Sequence, residues 1–151
     1  MIHYLTGDAT IPAAHPAIIA HIVNNAGSWG AGFVLAVSRR WLEPEAAYLR
    51  WVDRVLGVNL LVPVGGGLWV ANMCAQDNLR RAKPPVRYEA LESCLYLLAR
   101  EAHRKGASIH MPRIGCGIGG GTWDKVEPII VRQTWGLDVY VYDLPTPART
   151  W

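Results

Sequence analysis

The sequence is poor in several features, and each shortage removes a class of protein. It has three cysteines in 151 residues, and Cys74, Cys94 and Cys116 are scattered with neither CxxC nor metal-ligand spacing. A disulfide framework and a metal site are therefore not expected, and the thiols read as reduced cysteines of a cytoplasmic protein. No apolar run approaches the ~20 residues that cross a bilayer, so no membrane partner is expected. The opening "MIHYLTGDAT" lacks a basic stretch followed by an apolar one, so no secretory leader is visible. Only 18 % of residues are charged against 51 % hydrophobic, which excludes a disordered chain. No repeat and no low-complexity segment marks a second domain. Residues 1–151 read as one domain that buries ~70 % of its unfolded surface, with 145–151 as a loose tail.

Two things are abundant. Seven tryptophans supply large apolar area for a core or for groove walls. Fifteen glycines concentrate in two places, and five of them fall within the seven positions 115–121. The net charge of +3 suits an anionic small ligand or a weak attraction to nucleic acid without demonstrating either.

The hydrophobic pattern predicts strands over 2–5, 17–24, 60–64, 68–75, 108–114 and 138–144, with a tight reversal at Gly65-Gly66-Gly67. Helices are predicted over 33–41, 43–56, 88–105 and 123–134, and the Lys105-Gly106 pair is a good stop for the third. Residues 78–87 are polar, basic and proline-containing, and read as a loop. Alternating strands and helices argue for a sheet with helices on both faces. In such folds ligands lie beyond the carboxyl ends of the strands, among the strand-to-helix loops.

Four segments occupy such positions. In "NNAGSWGAGF" (24–33), glycines allow close backbone approach and the following helix supplies unpaired N–H groups, which suits an anion such as a diphosphate or else a sharp strand-to-helix turn that binds nothing. Asn24 and Asn25 would bond ribose hydroxyls or cap local backbone. In "GCGIGGG" (115–121), backbone amides could form an anion nest. The letters match GxGxxG, but the segment falls late in the chain and no ribose-binding acid follows, which disfavours dinucleotide oxidoreduction. Cys116 has no sequence-linked histidine to activate it as a nucleophile. Asp8, in "TGDAT", would accept from an exocyclic amine such as that of adenine, or shape a turn. Gln76 and Asp77 precede the basic loop, where Asp77 is a candidate water-orienting base or a solvated acid. Arg80, Arg81, Lys83 and Arg87 would attract a phosphorylated macromolecule or form a solvated face.

Taken together, "YLTGDAT", "NNAGSWGAGF", "WVANMCAQD", "PVRYEALESCL" and "MPRIGCGIGGGTW" resemble a macrodomain, the ADP-ribose-binding module, over nearly the whole chain. Within that family the "PRIGCG…W" signature resembles the branch that holds terminal ADP-ribose protein glycohydrolase, a chromatin-remodeller macrodomain and bacterial ADP-ribosyl glycohydrolases. The resemblance implies a three-layer α/β/α sandwich around a mixed, roughly six-stranded sheet. It implies that Asp8 and Ala9 meet adenine, and that Gly30, Ala31, Gly32 and Phe33 line one side of the diphosphate and distal ribose. Gly115, Cys116, Gly117, Ile118, Gly119 and Gly120 would wrap the other side. Tyr142 would stack near adenine, unless Leu144 fills that wall, and Trp29 would wall off the distal ribose or simply pack.

Two departures bear on chemistry. The lysine of the related glycohydrolase falls here near Ala75 or Gln76, and its glycine-loop aspartate near Gly119. The aspartate that another hydrolase branch carries after its glycine loop is replaced by Val34 and Leu35. The expectation is a cofactor-free, monomeric ADP-ribosyl hydrolase acting on modified protein or nucleic acid. Asn25 would hold the distal ribose and diphosphate, Gln76 or Asp77 would position the attacking water, and the substrate's own diphosphate would assist. A non-catalytic ADP-ribose reader and an ADP-ribose 1″-phosphate phosphatase are the alternatives.

Overall fold

The structure is a computed structural model that describes residues 1–145; most of the tail expected to be loose, residues 146–151, lies outside the described residues. In chain order the elements are β1 (Ile2–Thr6), β2 (Ala17–Asn24), α1 (Phe33–Arg40), α2 (Glu43–Arg50), β3 (Asn59–Gly65) and β4 (Leu68–Gln76). They continue with α3 (Tyr88–Lys105), β5 (Ser108–Met111), α4 (Trp123–Gln133) and β6 (Val139–Asp143).

The strands form one six-stranded sheet in the order β1-β6-β5-β2-β4-β3. All neighbours are parallel except β3, which runs antiparallel to β4. That exception follows from the reversal at Gly65-Gly66-Gly67, whose φ values of 88°, 64° and 74° are left-handed and suit glycine. Pro63 falls on β3, an edge strand, where a missing N–H costs no ladder bond. The mixed six-stranded sheet is the one that the resemblance implies.

β2 is covered on both faces, which is why its apolar run is almost continuous. Its pleat sends Ile18 and Ala20 into a core shared with α3 and α4, through residues such as Leu91, Leu95, Val126 and Ile130. Ile19 and Val23 join the opposite core with Val34 and Val37 of α1 and Tyr48 of α2. The helices thus form two outer layers around the sheet.

Two boundaries differ clearly from the sequence pattern. The helix expected over 43–56 ends at Arg50. Beyond it the helical spacing no longer decides burial: Val52 and Val55 are exposed, while Trp51 and Leu56 pack against the core. Instead the chain turns so that the Arg54 guanidinium donates to the carbonyls of Tyr48 and Leu49, both at 3.3 Å, satisfying the open end of α2. The strand expected over 108–114 stops at Met111, because Pro112 cannot donate to the ladder and the chain leaves the sheet there. The helix α3 has the expected bounds, with Gly106 left-handed at φ 61°. Among the described residues no helix is long and apolar enough to cross a membrane.

Candidate functional site

The carboxyl ends of β2, β5 and β6 open into a cavity of about 710 Å³. Residues 30–34 line one side and 112–119 the other, with Tyr142, Asp143 and Leu144 along the β6 edge. Both glycine segments singled out in the sequence therefore face a shared space. They also touch: a Cβ at Gly32 would lie 3.1 Å from Cδ1 of Ile118. The Ile118 side chain thus spans from the second loop to the first, half-exposed, over the cavity.

The first loop is braced by side chains. Asn24 is almost wholly buried; its Nδ2 donates to the Ser28 carbonyl at 2.7 Å, and its Oδ1 accepts from the Ala26 and Ser28 amides at 2.9 and 3.2 Å. The buried Tyr48 hydroxyl lies 2.7 Å from the Asn24 carbonyl and 2.9 Å from its Oδ1. Asn24 lines the cavity, but its side chain is committed to shaping the loop, the second of the two roles weighed for it. The loop ends at Gly32, which precedes α1 at φ 80° with no side-chain cap, and α1 has no acidic residue in its first turn. The helix's positive end therefore faces the cavity uncompensated.

The second loop is braced by its own backbone. The Gly121 amide donates to the Gly115 carbonyl at 2.7 Å and the Gly120 amide to the Gly117 carbonyl at 3.0 Å. The Val86 amide reaches across to the Gly119 carbonyl at 3.1 Å. A Cβ at Gly119 would approach the Gly115 carbonyl oxygen to 2.9 Å, and one at Gly121 would approach it to 2.8 Å. Any side chain at 119, an aspartate included, is incompatible with this loop conformation.

The candidate catalytic residues separate. Gln76 lines the cavity beside Asn78, and its Nε2 donates to Asn78 Oδ1 at 3.0 Å. Asn25 and Asp77 do not line it. Asn25 Nδ2 donates to Asp77 Oδ1 at 3.0 Å, while Asn25 Oδ1 accepts from the Asn78 amide at 2.9 Å. Asp77 Oδ1 also accepts the Leu79 and Arg80 amides, both at 3.2 Å. The Asn25 hydrogen bond above all holds the Asp77 carboxyl below the usual carboxylate range. The pair is a brace that ties the first loop to the 77–80 turn, and Asp77 is neither a solvated acid nor a group facing the cavity. Of the cations that follow, Arg87 is paired with Glu89 at 3.3 Å.

The same geometry bears on Trp29, Asp8, Ala9, Gly120 and Cys116. The Trp29 ring lies edge-on to His21 and tilted against Tyr48, and its Nε1 donates to Ser38 Oγ at 2.8 Å. Trp29 is a packing residue behind the cavity lining. Asp8 Oδ1 accepts from the Thr10 amide and hydroxyl at 2.8 and 2.7 Å, a turn role. It faces a separate cavity of about 390 Å³ with Thr10, Arg39 and Arg40; Ala9, almost wholly buried, lines neither cavity. Gly120 lies outside the main lining too. Cys116 lines it, but burial pushes its thiol up, and Sγ donates to the Ile114 carbonyl at 3.4 Å, so it is no activated nucleophile.

The β6 wall is held from behind. The Tyr142 hydroxyl accepts from the Ala13 amide at 2.9 Å and lies 2.7 Å from His110 Nδ1, whose Nε2 is 2.7 Å from Ser108 Oγ. With that hydroxyl engaged, Tyr142 offers the cavity its ring, and Leu144 lines the same wall. Asp143 is the one carboxylate among the described residues that lines the cavity. Arg113 grips it with two bonds of 2.7 and 2.9 Å and holds its carboxyl below the usual range. Sequence reading missed Arg113 and Asp143 as a pair, because they come together only where β5 and β6 end side by side. It also missed His21, whose place in an apolar strand was its only signal.

Comparison with known proteins agrees with this architecture. A family model, Macro domain, matches residues 73–130. A solved macrodomain protein from Streptomyces coelicolor is 45 % identical with a TM-score of 0.84, covering 95 % of this chain and 99 % of that one. Chromodomain-helicase-DNA-binding protein 1-like of Mus musculus is 33 % identical over 160 residues, covering 95 % of this chain; the chain spans only 18 % of that protein's length. ADP-ribose 1″-phosphate phosphatase of Lodderomyces elongisporus is 24 % identical, with 94 % of this chain and 99 % of that protein covered. With its mixed sheet, its two facing glycine loops and these relatives, the chain belongs to the macrodomain family.

Proposed function

We propose that the cavity binds ADP-ribose, and that the protein hydrolyses ADP-ribose from modified protein or nucleic acid. The observation that carries the reading is one cavity gripped from two sides: an uncapped helix start on one wall and a backbone-built glycine loop on the other. That arrangement suits a diphosphate between two riboses. Tyr142 and Leu144 supply the flat apolar wall that adenine requires.

The chemistry follows from what the cavity lacks. Its one carboxylate, Asp143, is locked by Arg113, and no lysine is among the lining residues, so neither a strong base nor an amine nucleophile is at hand. A water positioned by Gln76 attacks C1″ of the distal ribose as the bond from C1″ to the modified group breaks. The water's proton passes to a diphosphate oxygen, and the departing group leaves with its electron pair. Asn25 and Asp77 act as positioning residues for the first loop.

Calorimetry with ADP-ribose, followed by incubation with ADP-ribosylated protein and DNA, tests this reading. Binding and release are expected, with Gln76→Ala lowering turnover while binding persists. Binding without release from any substrate would make the protein a reader. A second reading rests on the similarity to a protein named for ADP-ribose 1″-phosphate phosphatase activity. Phosphate release from that compound, with no release from modified macromolecules, would favour it.

A further inference from the structure

His21 is the chemical exception on β2. Its neighbours on the same face, Ile19 and Val23, belong to the apolar core beneath α1 and α2, yet His21 is a polar ring only 1 % exposed. It lines the main cavity together with Ser28 and Phe33, and the rings of Trp29 and Phe33 hold it at centroid distances of 5.4 and 5.8 Å.

Its protonation pattern follows from the next strand. His21 Nε2 lies 2.5 Å from Asn72 Oδ1. Asn72 Nδ2 donates to the Pro44 carbonyl at 3.1 Å, so the amide's oxygen is the end that faces the ring. Nε2 therefore carries the hydrogen. Burial lowers the pKa of the ring to about 4, so it is neutral at neutral pH and Nδ1 is a bare lone pair. Among the described residues that buried nitrogen has no hydrogen-bond partner. A buried acceptor left without a donor destabilises a fold, and a leucine or phenylalanine in this apolar layer would not carry that cost.

We infer that His21 Nδ1 is a ligand-recognition atom, accepting a hydrogen bond from a ribose hydroxyl of the molecule bound in the cavity. The chemistry excludes the diphosphate as its partner: an ionised phosphate oxygen carries no proton and would meet the Nδ1 lone pair with repulsion. The ring therefore sets the register of the ligand, with a sugar over β2 and the diphosphate over the amides of the loops. The inference rests on the ADP-ribose reading, and it holds for either ribose of that molecule.

Nuclear magnetic resonance of protein labelled with ¹⁵N in its histidine rings tests it on the unaltered chain. The free protein is expected to show His21 protonated at Nε2 and bare at Nδ1. Saturation with ADP-ribose is expected to move the Nδ1 resonance upfield while Nε2 stays in place. ADP, which keeps the adenosine ribose and lacks the distal one, identifies the donor: a shift with both ligands assigns the adenosine ribose, and a shift with ADP-ribose alone the distal one. His21→Phe is expected to weaken ADP-ribose binding about tenfold, the loss of one hydrogen bond. Saturation without movement of Nδ1 would overturn the role given to His21 and leave the ADP-ribose reading standing. Absence of ADP-ribose binding would overturn both.

Discussion

The two loops that face each other across the cavity are built in opposite ways. Residues 24–33 are shaped by side chains: Asn24 at the centre, Tyr48 from α2 beneath it, and the Asn25–Asp77 pair at its flank. Arg54 closes over Gly27, where a Cβ would come within 3.0 Å of its guanidinium. Residues 115–121 are shaped by main-chain bonds, among themselves and from the Val86 amide, and by the lack of room for any side chain at Gly119 and Gly121. The difference teaches where each wall can vary. The first can be loosened from a distance through its partners, whereas the second fails only where a glycine is replaced.

The strongest way to break that contrast is Asn24→Ala. It removes every side-chain bond at the centre of the first loop and leaves buried amides unpaired, so a loss of about 4 kcal/mol is expected in denaturant unfolding. A loss below 1 kcal/mol would mean that the first loop also holds itself.

Acid sharpens the comparison next, because His21 lies beneath the first loop and His110 behind the Tyr142 wall. Burial lowers both rings from 6.5 to about 4. Between those values the unfolded chain binds protons that the folded chain does not, so stability falls as pH drops from about 6.5 towards 4. The fall is expected to reach about 3 kcal/mol per histidine at most. Unfolding curves across that window check it, and His110→Phe should flatten the slope.

The smallest effect belongs to the second loop. Gly119→Ala is expected to cost about 2 kcal/mol through its contact with the Gly115 carbonyl, and to weaken ADP-ribose binding. Gly117→Ala serves as the control, since a Cβ there meets nothing within 4 Å, and its stability should match the parent chain. Equal losses at the two positions would show that the crowding at 119 is relieved by movement of the loop.

The same contrast explains how much was legible in the sequence. The second loop announced itself, because a wall built of backbone must be written in glycine. The bounds of α3 were legible for a similar reason: a sustained 3.6-residue pattern ends in a lysine and a left-handed glycine. The first loop's bracing was hidden, because Tyr48 and Asp77 reach Asn24 and Asn25 from 24 and 52 residues away. No local pattern marks such pairs. Asn25 and Asp77 drew attention as chemistry-bearing types in the right neighbourhood, yet mutual bonding turns them away from the cavity. The apolar spacing that extended α2 past Arg50 misled for another reason: the chain turns there, Val52 and Val55 point to solvent, and Arg54 serves the carbonyls that the turn leaves open.

Hydrogen exchange on the unaltered protein, with and without saturating ADP-ribose, tests the central claim that one ligand is gripped between two loops. The account predicts slower exchange of backbone amides in both 30–35 and 115–121 upon binding. Protection confined to one of these segments, or to neither, would contradict it.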